Sequence, residues 1–318
     1  MLTTVTTRRL ILDGDWGVDD ALSTIYLAQQ PDVEILAVGT VHGNTPAETA
    51  ARNAIAVLDV AGAPDVPVAV GARRPLAQQV DFSAMVHGDD GLGGAAPATV
   101  RRAPVAAAAA VQLVAVATAH PGACTIVATG PLTNLALALL LEPRLPELVA
   151  GVVLMGGTLH HPGNVSPMAE ANIAHDPEAA DLVFAAGWPL TQVGLDVTMT
   201  TWLEGDDLAR LAAATTERGR FSWAILQHYL GFYLERHGRR GCPLHDESAA
   251  ILALHPELGS YLRAPVSVEL RSARNRGMLI VDRRAYSDPD DGPPGPPVAL
   301  TMDVDRPAIV AQLLDSLC

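Results

Sequence analysis

Four aspartates crowd a short, glycine-containing stretch that follows an apolar run near the start of the chain. They are Asp13, Asp15, Asp19 and Asp20. One or two of them could cap a helix, but four like charges a few ångströms apart repel one another strongly unless a positive charge lies between them. The chain has no Lys or Arg between Arg9 and Arg52 to supply that charge. A bound divalent cation would supply it, and the all-oxygen ligand set favours Ca²⁺ or Mg²⁺ over Zn²⁺.

The elements around the aspartates predict where these side chains lie. Residues 8–12 are typical of a buried strand, Gly14 and Gly17 of a tight turn, and the apolar spacing over 21–28 of a helix face. The aspartates then lie at the carboxyl end of a strand or on the first turn of the next helix. Open α/β sheets bind their ligands at that edge.

Polar residues also follow two other predicted strands. A strand at Val33–Thr40 is followed by Asn44, and a strand at Cys124–Ala128 is followed by Thr129, whose backbone carbonyl can bind a cation. Taken alone, Asn44 after Gly43 would be interpreted as a turn residue. The aspartates upstream make it a candidate site residue.

Two long irregular segments carry further candidates. Residues 71–104 contain His87-Gly-Asp-Asp-Gly-Leu-Gly-Gly94, whose glycines would let the segment fold over a ligand. A floppy acidic surface loop is an equally good interpretation of that motif. Residues 158–176 contain amide and carboxylate side chains that can hold sugar hydroxyls. These are Asn164, Glu170 and Asn172.

An adjacent imidazole and carboxylate, His245 and Asp246, open a predicted helix late in the chain. Such a pair can supply a proton donor and a metal ligand, although a lone His-Asp pair is more often a helix cap. Only the other candidate residues favour the functional interpretation. Further along, strands are predicted at 266–270, 277–281 and 298–302. A proline-rich loop at 288–297 joins the last two of them, and a final amphipathic helix follows.

Composition excludes several classes of function. A chain of 318 residues fits one large α/β domain as well as two small ones, and we expect one. The 49% hydrophobic content suits buried parallel strands covered by helices. All 21 basic residues are arginines, so no Lys is present for a Schiff base or a P-loop. A net charge of −14 argues against nucleic-acid and anionic membrane partners.

The cysteines and the apolar runs predict a cytoplasmic protein. The three cysteines are scattered and match neither a disulfide framework nor a zinc motif. The amino terminus has no long apolar segment typical of a signal peptide. The alanine-rich run at 105–119 is short for a bilayer and contains Gln112, so we expect a core helix there.

Six motifs, in order along nearly the whole chain, resemble the inosine-uridine preferring nucleoside hydrolase family. They are Asp13-Gly-Asp-Trp-Gly-Val-Asp-Asp20, Thr129-Gly-Pro-Leu-Thr-Asn134, Met155-Gly-Gly, the segment from Asn164 to Asn172, Gly194-Leu-Asp-Val-Thr198 and His245-Asp246. The resemblance implies a single α/β domain over residues 1–318, with an open, mostly parallel Rossmann-like sheet and helices on both faces. It also implies Ca²⁺ at the carboxyl ends of the strands, hydrolysis of ribonucleosides to free base and ribose, and a homodimer or homotetramer.

The resemblance also implies a role for each motif residue. The implied Ca²⁺ ligands are Asp15, Asp20, the backbone carbonyl of Thr129 and Asp246, with Asp13 as a supporting acid. The implied ribose contacts are Asp19, Asn164, Glu170 and Asn172, and the implied nucleobase contacts are His87 and Tyr233. The implied catalytic residues are Asp15, which activates the Ca²⁺-bound water, Asn44, which lies near that water, and His245, which protonates the leaving base.

Two positions depart from the family pattern. Trp16 stands where proline is usual, and we expect it to add an aromatic surface beside the site. Ala171 stands where an aromatic residue is common, and we expect it to remove one. Either change can alter which base or sugar is accepted. A non-catalytic Ca²⁺-dependent nucleoside or sugar-binding protein is the alternative, whereas phosphatases of the haloacid dehalogenase type and receiver domains require a Lys that the chain lacks.

Overall fold

The structure, a computed structural model, describes residues 7–284 and 295–318. Its strands are β1 Arg8–Gly14, β2 Val33–Thr40, β3 Val68–Val70, β4 Cys124–Ala128, β5 Gly151–Met155, β6 Leu190–Val193, β7 Trp202–Glu204, β8 Gly241–Pro243, β9 Gly259–Ala264, β10 Val266–Val268, β11 Leu279–Val281 and β12 Val298–Val304. Its α-helices are α1 Val18–Ala28, α2 Ala47–Val60, α3 Ala84–His87, α4 Ala109–Ala119, α5 Thr133–Leu141, α6 Leu145–Leu148, α7 Ala171–His175, α8 Pro177–Ala185, α9 Leu195–Thr198, α10 Asp206–Ala212, α11 Glu217–His237, α12 Asp246–Leu254 and α13 Arg306–Leu317.

An eight-stranded sheet with strand order β3-β2-β1-β4-β5-β6-β12-β9 forms the centre of the protein. Its strands pair in parallel, except that β9 at one edge runs antiparallel to β12. The chain builds outward from β1 through β2 to β3, then returns to the other side of β1 with β4. The connections after β1 and β4 therefore lead in opposite directions, and such a point in an open α/β sheet leaves a crevice at the carboxyl ends of the strands.

Alternate residues of β1 enter two separate hydrophobic cores. Leu10 and Leu12 belong to the core under α1, α2, α11, α12 and α13, whereas Ile11 belongs to the core under α4, α5 and α8. This alternation follows from the two-residue repeat of a strand. The prediction of a mostly parallel α/β sheet with helices on both faces is therefore confirmed, and burial on both faces explains why these strands read as continuous apolar runs.

Helix α1 carries Asp19 and Asp20 in its first turn. The helix begins after Gly17, which has extended backbone angles and donates its N–H to Asp20 Oδ2 at 2.8 Å. Every residue from Val18 to Leu27 is buried, because α1 packs against α2, α12 and α13 as well as the sheet. A helix buried on all sides holds its first turn in one position.

Several predicted boundaries differ from the structure. The helix predicted from residue 105 begins at Ala109, because Val105 donates its N–H to the Val68 carbonyl at 2.8 Å and extends the sheet edge instead. The sequence also predicts a helix over residues 204–214, which begins instead at Asp206, because β7 pairs with β8. Strand β9 was not predicted, and most of the proline-rich loop predicted at 288–297 lies outside the described residues.

None of the helices in the described part of the chain combines the length and the apolar character that a bilayer span requires. The alanine-rich helix α4 instead packs into the second core through Ala110, Leu113 and Ala117. It is a core helix, as predicted.

Candidate active site

The carboxyl ends of β1, β2 and β4 and the first turn of α12 surround a cavity of about 410 Å³. Residues predicted from the sequence line it together. They are Asp19, Asn44, His87, Thr129, Asn164, Glu170, Asn172, Tyr233, His245 and Asp246. A larger and more open groove of about 1220 Å³ lies between α3 and α11, but none of the predicted site residues lines it.

Three buried aspartates meet at the floor of the site. Asp19 and Asp20 from α1 and Asp246 from α12 each offer a carboxylate oxygen, and these oxygens lie within 4.8 Å of one another. A hard cation that binds oxygen at about 2.3–2.6 Å can contact ligands at that separation. The donor set therefore fits such a cation. Asp19, which the family resemblance assigns to ribose binding, belongs to this group.

Asp15 lies beside this group and is held by Asn44. The Asn44 backbone N–H donates to Asp15 Oδ2 at 2.6 Å, and its side-chain Nδ2 donates to Asp15 Oδ1 at 2.9 Å. Asp15 is 1% exposed and also contacts the Asp20 carboxyl. The structure thus brings Asp15 and Asn44 together, with the amide fixing the direction of the carboxylate.

Thr129 and Asn172 connect the aspartates to the opposite wall of the cavity. The Thr129 hydroxyl donates to Asp20 Oδ1 at 2.6 Å, and its carbonyl accepts from Asn172 Nδ2 at 3.1 Å. Gly14 must be a glycine at this point, because a Cβ there would lie 2.3 Å from Asp20 Oδ1 and 2.6 Å from the Thr129 hydroxyl. The carbonyl predicted to bind the cation therefore lies in contact with a residue predicted to bind ribose.

Glu170 and Asn164 shape the wall of the cavity as well as lining it. The Glu170 carboxylate caps α7 by accepting from the N–H groups of Asn172 and Ile173, and it accepts from Gly157 N–H at 2.8 Å. Asn164 is exposed, and its Oδ1 accepts from Ala171 N–H at 2.9 Å. These bonds fix the segment that carries the predicted ribose contacts.

The ring nitrogens of His245 both have partners. His245 Nδ1 lies 2.8 Å from the Thr198 hydroxyl, and Nε2 lies 3.1 Å from the Tyr233 hydroxyl. A Thr198 hydroxyl that donates to Nδ1 leaves Nε2 as the protonated nitrogen. Thr198 had no predicted role, although it ends one of the motifs that carry the resemblance.

Tyr229 is a site residue that sequence reasoning missed. Its hydroxyl donates to Asp19 Oδ2 at 3.3 Å, and its ring centroid lies 5.3 Å from that of His87. It precedes Tyr233 by four residues on α11, so both rings share one helix face. That spacing was the signal in the sequence. His87 itself is buried, accepts the Val18 N–H at Nδ1, and lies 3.8 Å from Asp19.

The expectation for Trp16 is wrong. The indole is 1% exposed and packs into the hydrophobic core, so it adds no aromatic surface to the cavity. Ala171, in contrast, lines the cavity. The backbone of Trp16 also takes an unusual conformation, with φ of +35°.

The buried carboxyl groups resist ionisation. Burial raises the pKa of Asp13 to about 8, of Asp20 to about 7 and of Glu170 to about 7. Burial, followed by neighbouring carboxylates, also raises the pKa of Asp15 and Asp246 well above the ordinary value. A cation among these groups would favour their charged forms and remove the cost of burying them.

Known proteins match this chain along nearly its whole length. The family model of the inosine-uridine preferring nucleoside hydrolases matches residues 10–310. An inosine-uridine preferring nucleoside hydrolase of Leishmania major is 38% identical over 301 residues, which cover 94% of this chain and 94% of that protein. A pyrimidine-specific ribonucleoside hydrolase, RihA, of Shewanella woodyi is 37% identical over 313 residues, which cover 98% of each chain.

Solved structures show the same architecture. The plant nucleoside hydrolase PpNRh1 superposes with a TM-score of 0.93 at 33% identity, covering 98% of each chain. A purine-preferring ribonucleoside hydrolase from Gardnerella vaginalis superposes with a TM-score of 0.91 at 31% identity, again covering 98% of each chain. The named relatives thus include proteins with purine and with pyrimidine preferences.

Proposed function

This chain belongs to the inosine-uridine preferring nucleoside hydrolase family, and from that membership we propose how its residues act. Nucleoside hydrolases are metal-dependent enzymes that cleave N-glycosyl bonds, and hydrolysis of nucleosides is the function of this chain. The proposal concerns the metal, the residues and their roles. The observation that carries it is the buried group of carboxylates at the floor of the cavity.

We assign Ca²⁺ as the metal because the donors are hard oxygens. Asp15, Asp20, Asp246 and the Thr129 carbonyl would hold it, and the position of Asp19 lets its carboxylate contribute to the same group. Calcium accepts six to eight oxygen ligands in flexible geometry, which suits carboxylates that come from two helices and one loop. When bound, Ca²⁺ would lower the pKa of the attacking water and hold the ribose hydroxyls.

Asp15 would take the proton from the attacking water. Its carboxylate is buried, and two bonds from Asn44 fix its direction. A general base must lie within hydrogen-bonding reach of the proton it removes, so the amide of Asn44 acts by keeping the carboxylate in place. The cleaved bond breaks through an oxocarbenium-like state, whose positive charge the surrounding acids stabilise.

The cavity offers separate contacts for the sugar and the base. Its volume of about 410 Å³ lies in the range of about 300–1,000 Å³ that is usual for small-molecule sites. Asp19, Asn164, Glu170 and Asn172 would bind the ribose hydroxyls and so position the reacting carbon. His87 and Tyr233 would contact the base.

His245 would protonate the departing base. Its Nε2 faces the Tyr233 hydroxyl at 3.1 Å on the side of the cavity where the base would lie. Burial lowers the pKa of His245 to about 4, so the imidazole is neutral near pH 7, and it would protonate the base from its imidazolium form, which is the minor form at that pH. The cytoplasmic location, the homodimer or homotetramer and the single domain over residues 1–318 stay predictions.

A panel of ribonucleosides tests the function directly. With Ca²⁺ present, we expect equimolar free base and free ribose from at least one purine or pyrimidine ribonucleoside, and loss of both after chelation. Base is measured by chromatography and ribose by a reducing-sugar assay. Tight binding of a ribonucleoside without release of base would instead support a non-catalytic binding protein.

A further inference from the structure

The glycine-rich loop after α3 is organised by hydrogen bonds to one of its own side chains. The Asp90 carboxylate accepts the backbone N–H groups of Leu92 and Gly94, each at 2.9 Å, and of Ala96 at 3.0 Å. Leu92 is fully buried. The sequence left this segment open as a cover for a ligand or a floppy surface loop, and the floppy interpretation is wrong.

One buried amide joins this loop to residues 15–17, which connect β1 to α1 and are called the aspartate loop here. Asn53 on α2 is 4% exposed, and its Nδ2 donates to the Trp16 carbonyl at 3.1 Å and to the Asp90 carbonyl at 2.8 Å. An amide NH₂ has two hydrogens, so both are used. The loops approach so closely that a Cβ at Gly91 would lie 2.8 Å from Asn53 Nδ2 and 3.3 Å from the Trp16 carbonyl oxygen.

The Trp16 carbonyl belongs to the peptide unit that also contacts a predicted cation ligand. That unit carries the Gly17 N–H, which donates to Asp20 Oδ2 at 2.8 Å. Asn53 therefore holds one end of the peptide plane while Asp20 holds the other. Rotation of this plane would break both bonds at once.

The aspartate loop also needs outside support because its backbone is strained. Trp16 has φ of +35°, and within residues 7–284 and 295–318 it is the one non-glycine residue with positive φ. Such a conformation persists only where the surroundings over-determine it. Burial of the indole and the bond from Asn53 to the Trp16 carbonyl are the contacts that do so.

We propose that Asn53 is a positioning residue of the active site. By donating to the carbonyls of Trp16 and Asp90, it keeps the peptide beside Asp20 and the loop that begins at His87 in the arrangement that binds the cation and the nucleoside. Its loss would leave two buried carbonyls without a donor, which drives the loops to rearrange. The inference rests on the proposed function but depends on different contacts.

The test compares Asn53→Ala and Asn53→Ser with Gln112→Ala. Gln112, on α4, donates Nε2 to the Pro67 carbonyl at 3.1 Å, is 9% exposed and does not line the cavity, so its variant loses a buried side-chain bond to a backbone carbonyl outside the cavity lining. Calorimetry measures Ca²⁺ binding to chelator-treated protein without substrate, and steady-state kinetics measure kcat and KM at saturating Ca²⁺.

We expect Asn53→Ala to weaken Ca²⁺ binding by about 10- to 100-fold and to lower kcat by a similar factor, as loss of an outer partner of a metal site does. Asn53→Ser, which retains one donor, should lie between Asn53→Ala and wild type. Gln112→Ala should stay within about twofold of wild type in both quantities, because Gln112 bonds to Pro67 and shares no partner with the residues of the cavity.

Two results would separate failure of this inference from failure of the proposed function. If Asn53→Ala had the same Ca²⁺ affinity and kcat as Gln112→Ala and differed from wild type only in melting temperature, the role of Asn53 would be merely structural. Wild-type protein that releases no base would overturn the proposed function, while the Ca²⁺ affinities would still decide the role of Asn53.

Discussion

Asp15→Ala is expected to reduce ribose release by about 10³-fold or more, because it removes both the proton acceptor for water and one predicted cation ligand. The loss should fall on kcat, since proton removal belongs to the transition state. Initial rates of base release at saturating Ca²⁺ and nucleoside measure it. Asp15→Ala also leaves the backbone N–H and the side-chain amide of Asn44 without their acceptor, so the melting temperature is measured together with the rates.

Two control variants make this result interpretable. Asp65→Ala removes the same charge from an exposed position outside the site, and we expect unchanged rates. Asp15→Asn keeps the shape of the side chain but cannot accept the proton, so it should be nearly as slow as Asp15→Ala. An Asp15→Asn variant that retains wild-type kcat would remove Asp15 from the role of general base.

His245→Ala is expected to slow ribonucleosides by about 10²–10³-fold while hardly affecting p-nitrophenyl riboside. A nucleobase leaves as a poor anion unless it gains a proton, whereas p-nitrophenolate is stable without one. His245 Nε2 and its contact with the Tyr233 hydroxyl lie where that proton would be delivered. The ratio of kcat/KM for the two substrates is the measurement.

Tyr233→Phe serves as the matched control for His245. It removes the hydroxyl that contacts Nε2 and keeps the ring that packs against Tyr229 at 4.9 Å between centroids. We expect a smaller loss with the same substrate selectivity. Equal losses on nucleosides and on p-nitrophenyl riboside in His245→Ala would show that His245 holds the substrate rather than protonates the base.

Elements with a local pattern could be predicted from the sequence alone. Strand β2 at Val33–Thr40 has the predicted bounds. The helical apolar spacing over residues 47–60 likewise predicts the bounds of α2. The pairs β7–β8 and β9–β12 were missed. Strands β7 and β8 have only three residues each, and both pairings join segments that are distant in the sequence, which no local pattern records.

The site shows the same division between local and non-local information. Repulsion among the aspartates predicted a cation site from residue types alone, and the structure brings Asp19, Asp20 and Asp246 together. Side-chain direction was not predictable, because it depends on partners from other segments: Asn44 orients Asp15. Trp16 was wrongly expected at the cavity because the burial of its indole in the core depends on packing partners from other segments.

Calcium titration of chelator-treated protein, with counting of released protons, tests most directly whether a hard cation balances the buried carboxylates. Burial raises the pKa of Asp13 to about 8 and of Asp20 to about 7, so near pH 7 part of the group carries protons until a cation favours the ionised forms. We predict saturable binding, release of protons into the buffer, and an affinity that rises from pH 6 to pH 8. If millimolar Ca²⁺ neither bound to the protein nor caused it to release protons, the proposed cation site would be contradicted.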